Sequence, residues 1–123
     1  MRALQVRALK PDYTGVEVCD VDIPIPQSGE VRVKVKAASV NFPDLLMSRG
    51  EYQLKPELPF TQGLEFSGIV DAVGPDVTAW RVGDEVLGGN ARGHGAMAEY
   101  AIGQALKMRR KPSGMTWDEA AAY

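Results

Sequence analysis

The chain has 123 residues, with 14 Lys and Arg residues against 16 Asp and Glu residues and a net charge of −2. This balance argues against a nucleic-acid-binding domain, which is usually clearly basic, and the length leaves no room for a second, dinucleotide-binding domain within the chain. The single cysteine, Cys19, excludes an intramolecular disulfide, and Cys19 and His94 alone cannot form a four-ligand zinc site.

The first 36 residues are predicted to form three strands. Apolar residues are frequent over residues 1–9, and valines and an isoleucine recur over residues 16–23 before Pro24 and Pro26. Residues 30–36 alternate strictly between apolar and charged side chains, with Val31, Val33 and Val35 on one face. Because one face of this strand is apolar and the other charged, an antiparallel sheet is favoured over a parallel one.

A short helix is predicted over residues 42–49. Asn41 is a suitable N-cap, Pro43 lies near the first helical position, and Asp44 favours the N-terminal end of the helix dipole. Gly50 is a natural stop because glycine readily adopts the left-handed conformation.

The remaining chain is predicted to be rich in strands. Strand patterns cover residues 65–73, 82–87, 96–102 and 105–109, and the glycine-rich residues 88–95 are predicted to form a mobile loop. Residues 116–119 (TWDE) match a capping box and predict the start of a second helix. The basic cluster over residues 107–111 is interpreted as a solvated strand edge. Together these elements predict a β-rich barrel.

Six short motifs occur in the order and spacing found in the medium-chain dehydrogenase/reductase superfamily, which the chain resembles. They are VRVKV (31–35), SVNFPD (39–44), RGEY (49–52), GLEFSG (63–68), VGDEV (82–86) and GAMAEY (95–100). The resemblance implies a GroES-like, partly open β-barrel with one short helix and a truncated C-terminal helix. It also implies that residues 1–123 are the N-terminal catalytic domain and that the Rossmann cofactor domain is absent from this chain.

Two positions separate the chain from the zinc-dependent members of the superfamily. By resemblance, those enzymes bind catalytic zinc through a Cys where Asn41 stands and a His where Leu64 stands. Neither a carboxamide nor an aliphatic side chain replaces these ligands in a tetrahedral zinc site. The chain therefore resembles the zinc-independent branch of NADPH:quinone oxidoreductases and enoyl reductases. Hydride transfer to a quinone or an α,β-unsaturated carbonyl is the expected reaction, with no metal.

Three residues are predicted to contribute to the site. By resemblance, Asn41, Phe42 and Tyr52 bind the cofactor, and Tyr52 and Asn41 are the catalytic residues. A phenol can donate a hydrogen bond to oxygen that gains negative charge, and a carboxamide can hold a ribose or the substrate. Simpler interpretations remain open: Asn41 as a helix cap only and Tyr52 as an aromatic covering the core.

Several other polar residues have structural interpretations. Asp44 is interpreted as a helix N-terminal charge and Glu65 as a structural carboxylate. His94, between two glycines, is expected to be solvated.

No Gly-x-Gly-x-x-Gly motif follows a strand and opens a helix, so the main NADPH site is expected in the missing domain, and this chain alone is expected to bind NADPH weakly or not at all. The expected partners are a small-molecule quinone or enone and, in the full-length protein, a second subunit of a homodimer. Neither nucleic acid nor a membrane is expected as a partner, and the expected location is the cytoplasm. Two alternatives remain: a stand-alone GroES-like interaction module without catalysis, and a zinc alcohol dehydrogenase.

Overall fold

Eight strands and two helices form the described part of the chain, residues 1–53 and 55–123 of a computed structural model. The strands are β1 (Arg2–Val6), β2 (Val16–Asp20), β3 (Glu30–Ala38), β4 (Phe60–Thr61), β5 (Glu65–Val73), β6 (Glu85–Gly89), β7 (Tyr100–Gln104) and β8 (Arg109–Arg110), and the helices are α1 (Phe42–Arg49) and α2 (Trp117–Ala122). No helix in these residues is long and apolar enough to cross a membrane.

The strands form two open antiparallel sheets. One has the order β2-β1-β4, and the other has the order β7-β3-β5-β6-β8. This arrangement confirms the mainly β, GroES-like fold with one short helix and a second helix near residue 123. The two sheets are open and do not close into the predicted β-rich barrel.

The alternation of β3 places one face of the larger sheet in the main core. Val31 and Val33 are fully buried, whereas Lys34, which lies between Val33 and Val35, is exposed. The valines pack with Phe66 and other apolar residues of β5, β6 and β7. Burial of this apolar face explains why the period-2 pattern predicted the strand correctly.

Several predicted strand limits were wrong. β1 ends at Val6 rather than residue 9, and β7 begins at Tyr100 rather than residue 96. Residues 105–107 form a turn where a strand was predicted, so β8 contains only Arg109–Arg110. The second strand ends at Asp20 rather than Ile23. Asp20 pairs with Arg2, Val21 still exchanges main-chain hydrogen bonds with Met1, and the pairing stops before Ile23. Gly88 and Gly89 belong to β6 instead of the predicted loop, opposite Phe66 and Glu65. A Cβ on Gly88 would lie only 3.0 Å from the Met108 sulfur, so the glycine allows this close packing.

Helix α1 has the predicted bounds, and Asp44 fastens its N-terminal end to the rest of the fold. Asp44 is almost fully buried, and its carboxylate accepts hydrogen bonds from the main-chain N–H groups of Asn41 (2.8 Å) and Gly63 (3.2 Å). Gly50 ends the helix in the predicted left-handed conformation, with φ of 76°. The helix start is therefore held against the segment that leads into β5.

Helix α2 begins with the predicted capping box. The Thr116 hydroxyl accepts a hydrogen bond from the Glu119 N–H at 3.1 Å, and the Glu119 carboxylate accepts one from the Thr116 N–H, also at 3.1 Å. The hydroxyl of buried Ser67 donates to the Trp117 carbonyl oxygen at 2.6 Å. This bond fastens the first turn of α2 to β5.

Candidate functional site

Asn41 lies at the junction where β3 has ended and α1 begins. Its main chain is extended, with φ of −121° and ψ of 162°, and the neighbouring main chain is fixed to β5 by a bond from the Ser39 N–H to the Glu65 carbonyl oxygen (3.3 Å). The pairing of β3 with β5 continues to Ala38 and Phe66, which brings this junction beside the first residue of β5.

The Asn41 carboxamide donates its hydrogen bonds to side chains outside helix α1. Its Nδ2 donates to the Ser39 hydroxyl at 3.0 Å and to a Glu65 carboxylate oxygen at 3.2 Å. Asn41 and Asp44 have the arrangement of a capping box, but the Asp44 N–H donates to the Asn41 main-chain oxygen at 3.0 Å, and the Asn41 side chain makes no capping hydrogen bond. Asn41 is thus the N-cap by position, while its side chain serves another set of contacts.

Phe42 exposes its ring beside this carboxamide. As the first residue of α1 it is 70% exposed, and Val40 on the other side of Asn41 is 71% exposed. Apolar side chains of this size gain free energy when a ligand or another protein surface covers them. The surroundings of Asn41 are therefore suited to contact with a group outside this chain.

Tyr52 is half-buried and packs on a small core between β1, α1 and β4. Its ring and the Leu64 side chain cover the cluster of Val6, Met47 and Phe60. Tyr52 therefore does cover a core, which was the simpler interpretation of this residue. Leu64 directly precedes Glu65, so the Leu64–Glu65 segment joins the surroundings of Tyr52 to those of Asn41.

The three predicted site residues can bind a molecule by hydrogen bonds and packing. They carry a carboxamide, a phenol and an exposed aromatic ring, none of which is a strong nucleophile in its neutral form. Among the described residues, no three His, Cys, Asp or Glu side chains come together as a possible metal site. The arrangement can orient a bound molecule and donate or accept hydrogen bonds.

Sequence analysis missed Ser39 as a partner of Asn41 and the carboxylate of Glu65 as its second partner. The separation of two residues between Ser39 and Asn41 was a local signal that could have suggested the first contact. Glu65 lies 24 residues from Asn41, and only the register of β3 against β5 brings them together.

The expectation that His94 is solvated was wrong. The imidazole is half-buried, with its ring 5.6 Å from the Phe60 ring in an edge-to-face arrangement, and its Nδ1 is buried with no hydrogen-bond partner among the described residues. Burial lowers the pKa of His94, and the nearby charge of Arg92 lowers it further, against the opposing effect of a hydrogen bond that the imidazole donates to the Thr61 main chain.

A cavity of about 450 Å³ lies beside His94. It is formed by the N-terminal strand, β4, the loop over residues 90–95 and β7, and its described lining includes none of Asn41, Phe42 and Tyr52. Because the cavity and the predicted site involve different residues, the cavity gives no support to the predicted roles of those three.

Comparison with known proteins identifies sequences and folds that are similar to this chain. A family model described as "Alcohol dehydrogenase GroES-like domain" matches residues 27–113. A quinone oxidoreductase from Lama guanicoe is 36% identical over 126 aligned residues, which cover 99% of this chain and 37% of that protein.

The solved structures that resemble the whole fold include two quinone oxidoreductases. The quinone oxidoreductase from Coxiella burnetii has a TM-score of 0.93 and 29% identity, over 100% of this chain and 40% of that one. The Escherichia coli quinone oxidoreductase, in complex with NADPH, has a TM-score of 0.89 and 27% identity, over 99% of this chain and 36% of that one. The chain thus spans less than half the length of each of these proteins.

Proposed function

The chain belongs to the alcohol dehydrogenase GroES-like domain family of the medium-chain dehydrogenase/reductase superfamily, and from this premise we propose that it is the N-terminal catalytic domain of an NADPH-dependent oxidoreductase. The proposed reaction is hydride transfer to a quinone or an α,β-unsaturated carbonyl without zinc. The names of the similar proteins support the quinone, and the NADPH complex of the Escherichia coli enzyme supports the cofactor.

The observation that carries this proposal is the pair of residues at the former metal positions. Asn41 stands where the zinc-dependent relatives have a Cys, and its carboxamide is bonded to Ser39 and Glu65. Leu64, at the position of the His ligand, packs on the apolar cluster. A carboxamide nitrogen and an aliphatic chain are not zinc ligands, so the donor set supports a reaction that proceeds without the metal.

The residues at this site fit a nicotinamide cofactor, since an exposed ring and a half-buried carboxamide and phenol provide packing, an acceptor and a donor. Asn41, Phe42 and Tyr52 would hold the nicotinamide end of NADPH, which supplies the hydride when bound. Tyr52 would donate its phenolic hydrogen bond to the substrate oxygen as negative charge develops there. Asn41 would orient either the cofactor ribose or the substrate.

The proposal extends to the whole protein. Residues 1–123 would require a Rossmann domain outside this chain for the main NADPH site, and the chain alone would bind NADPH weakly or not at all. The full-length protein is proposed to be a cytoplasmic homodimer that acts on small molecules and binds neither nucleic acid nor membranes.

The direct test measures NADPH oxidation by the full-length protein, with benzoquinone as acceptor and, separately, with methyl vinyl ketone. We expect NADPH consumption with at least one of them. The Tyr52→Phe variant should lower kcat about tenfold or more, because a donor that stabilises developing charge contributes mainly in the transition state. The Tyr13→Phe variant, which removes another half-exposed phenol, should retain the activity.

Three results would contradict parts of the proposal. Absence of turnover with both acceptors would favour the interaction module without catalysis. Stoichiometric zinc in the purified protein, with activity lost on its removal, would reject zinc independence. Tight NADPH binding by the 123-residue chain in isothermal titration would show that the main cofactor site is not in a separate domain.

A further inference from the structure

The two contacts of the Asn41 carboxamide determine its hydrogen-bonding polarity. A carboxamide has two N–H donors on nitrogen and two acceptor positions on oxygen. Nδ2 lies 3.0 Å from the Ser39 hydroxyl oxygen and 3.2 Å from the Glu65 carboxylate oxygen. Both N–H groups are therefore engaged by the protein. The capacity that remains for a ligand is at Oδ1, which only accepts and which has a second acceptor position besides the one that the capping-box arrangement turns towards the Asp44 N–H.

The chemistry of Glu65 excludes the reversed orientation of the amide. A carboxylate accepts hydrogen bonds and has none to donate. If the carboxamide were turned by 180°, its oxygen would face the carboxylate oxygen, and the two acceptors would repel each other. Glu65 thus selects the orientation with nitrogen inward, and the Ser39 hydroxyl accepts the second N–H.

The main chain around Asn41 is held as firmly as its side chain. The Asn41 N–H donates to buried Asp44, and the Ser39 N–H donates to the Glu65 carbonyl oxygen. Because both ends of the contact are fixed to the β3–β5 pair and to α1, the carboxamide has little freedom to turn when a ligand arrives. Such fixed orientation reduces the entropy lost on binding.

We propose that Ser39 and Glu65 are positioning residues that present Asn41 Oδ1 as a hydrogen-bond acceptor, and that Asn41 binds a hydroxyl group of the cofactor ribose rather than the substrate. This inference rests on the proposed function. The oxygens of a quinone or an enone only accept hydrogen bonds, so Oδ1 has nothing to gain from them, whereas a ribose hydroxyl can donate. The donor required by the substrate oxygen is then the Tyr52 phenol.

The orientation is tested first by NMR, without any cofactor. In the 123-residue chain, the side-chain amide signals of Asn41, assigned by their absence in Asn41→Ala, should exchange slowly with water. They should exchange faster in Glu65→Ala and stay slow in Glu65→Gln, whose carboxamide oxygen can still accept. Signals that exchange at the rate of a solvated amide in the unsubstituted chain would overturn the orientation.

The ligand assignment is tested with NADPH and benzoquinone in the full-length protein. Glu65→Ala and Asn41→Ala should each weaken NADPH binding about tenfold, the order expected for one hydrogen bond to a fixed acceptor, with the KM for benzoquinone unchanged. Glu65→Gln should restore most of the affinity. The matched control is Glu85→Ala, which removes the carboxylate at the first residue of β6 and should leave NADPH affinity unchanged.

A double-mutant cycle separates positioning from a general structural effect. If Glu65 acts through Asn41, Glu65→Ala should have no further effect on NADPH affinity in the Asn41→Ala background. A full additional loss in that background would overturn the positioning role, and a raised quinone KM with unchanged NADPH affinity in Asn41→Ala would assign Asn41 to the substrate. If the unsubstituted protein does not bind NADPH, the proposed function and the ribose assignment both fail, while the NMR result still decides the orientation.

Discussion

Replacing Asp44 with alanine should remove the main link between the start of α1 and the segment before β5. The Asp44 side chain is 1% exposed, and its carboxylate accepts main-chain hydrogen bonds from Asn41 at 2.8 Å and from Gly63 at 3.2 Å. The Asp44 carbonyl oxygen also accepts a bond from the Gln62 side chain at 2.8 Å, and that bond does not depend on the carboxylate.

The magnitude follows from these contacts. A hydrogen bond to a charged group contributes about 1.5–3 kcal/mol, and a negative charge in the first turn of a helix contributes about 0.3–1 kcal/mol. The two bonds and the helix charge together give a loss of about 3–5 kcal/mol for Asp44→Ala, since the bond to Gly63 is near the long end of the range. Asp44→Asn keeps one acceptor oxygen and should lose about 2 kcal/mol.

Equilibrium unfolding in urea, followed by the fluorescence of Trp80 and Trp117, measures both losses. The control is Asp118→Ala, which removes an exposed carboxylate from the first turn of α2 and should cost at most about 1 kcal/mol. If Asp44→Ala costs no more than Asp118→Ala, the carboxylate does not stabilise the fold through these bonds. An unchanged m-value is required, so that the difference reflects the native state.

Three further predictions test other parts of the fold. Gly68→Ala would place a Cβ 2.2 Å from the Lys34 carbonyl oxygen and should cost at least about 3 kcal/mol in thermal unfolding, whereas Gly89→Ala, with its nearest neighbouring atom at 3.5 Å, should change stability by less than about 1 kcal/mol. Ser67→Ala removes the 2.6 Å bond to the Trp117 carbonyl oxygen and should cost about 1–2 kcal/mol, with faster amide exchange in α2; unchanged exchange would show that the bond does not hold the helix. His94 is the single histidine, and burial lowers its pKa in the folded protein. The unfolded chain therefore binds the proton more readily than the folded chain. The free energy of unfolding should fall as pH drops below about 6.5, by at most about 1.4 kcal/mol per pH unit. His94→Phe should flatten the dependence of urea unfolding between about pH 7 and pH 5, and an unchanged slope in that variant would assign it to other groups.

The elements predicted correctly are those with strong local signals. Residues 65–73 and 42–49 form β5 and α1 with the expected limits, because the Gly74-Pro75 turn after β5, the N-cap of α1 and its terminal glycine act within a few residues of the chain. The errors at Ile23 and Gly88 arose where a strand's length depends on its partner. Neither the last residue after β2 that finds a main-chain partner nor the position of Met108 can be read from the neighbouring sequence.

The candidate site also has features that the sequence predicted and contacts that it could not show. Asn41, Phe42 and Tyr52 were selected from motifs, and their roles stay predictions. The sequence could not show how the Asn41 carboxamide is bonded, because its second partner, Glu65, is 24 residues away. Similarly, the two glycines beside His94 suggested solvent, whereas the distant Phe60 covers part of the imidazole.

By itself, the sequence determined the mainly β fold, the positions of both helices and the residues that stand, by resemblance, where zinc-dependent enzymes have their ligands. These depend on periodicity, capping and the identity of single side chains. The tertiary structure decided which hydrogen-bonding atoms of those residues are available to a ligand. The register of β3 against β5 sets the carboxylate of Glu65 beside the amide nitrogen of Asn41, and a carboxylate can satisfy only a donor. A contact between distant segments thus converts a side chain that could donate or accept into one that accepts.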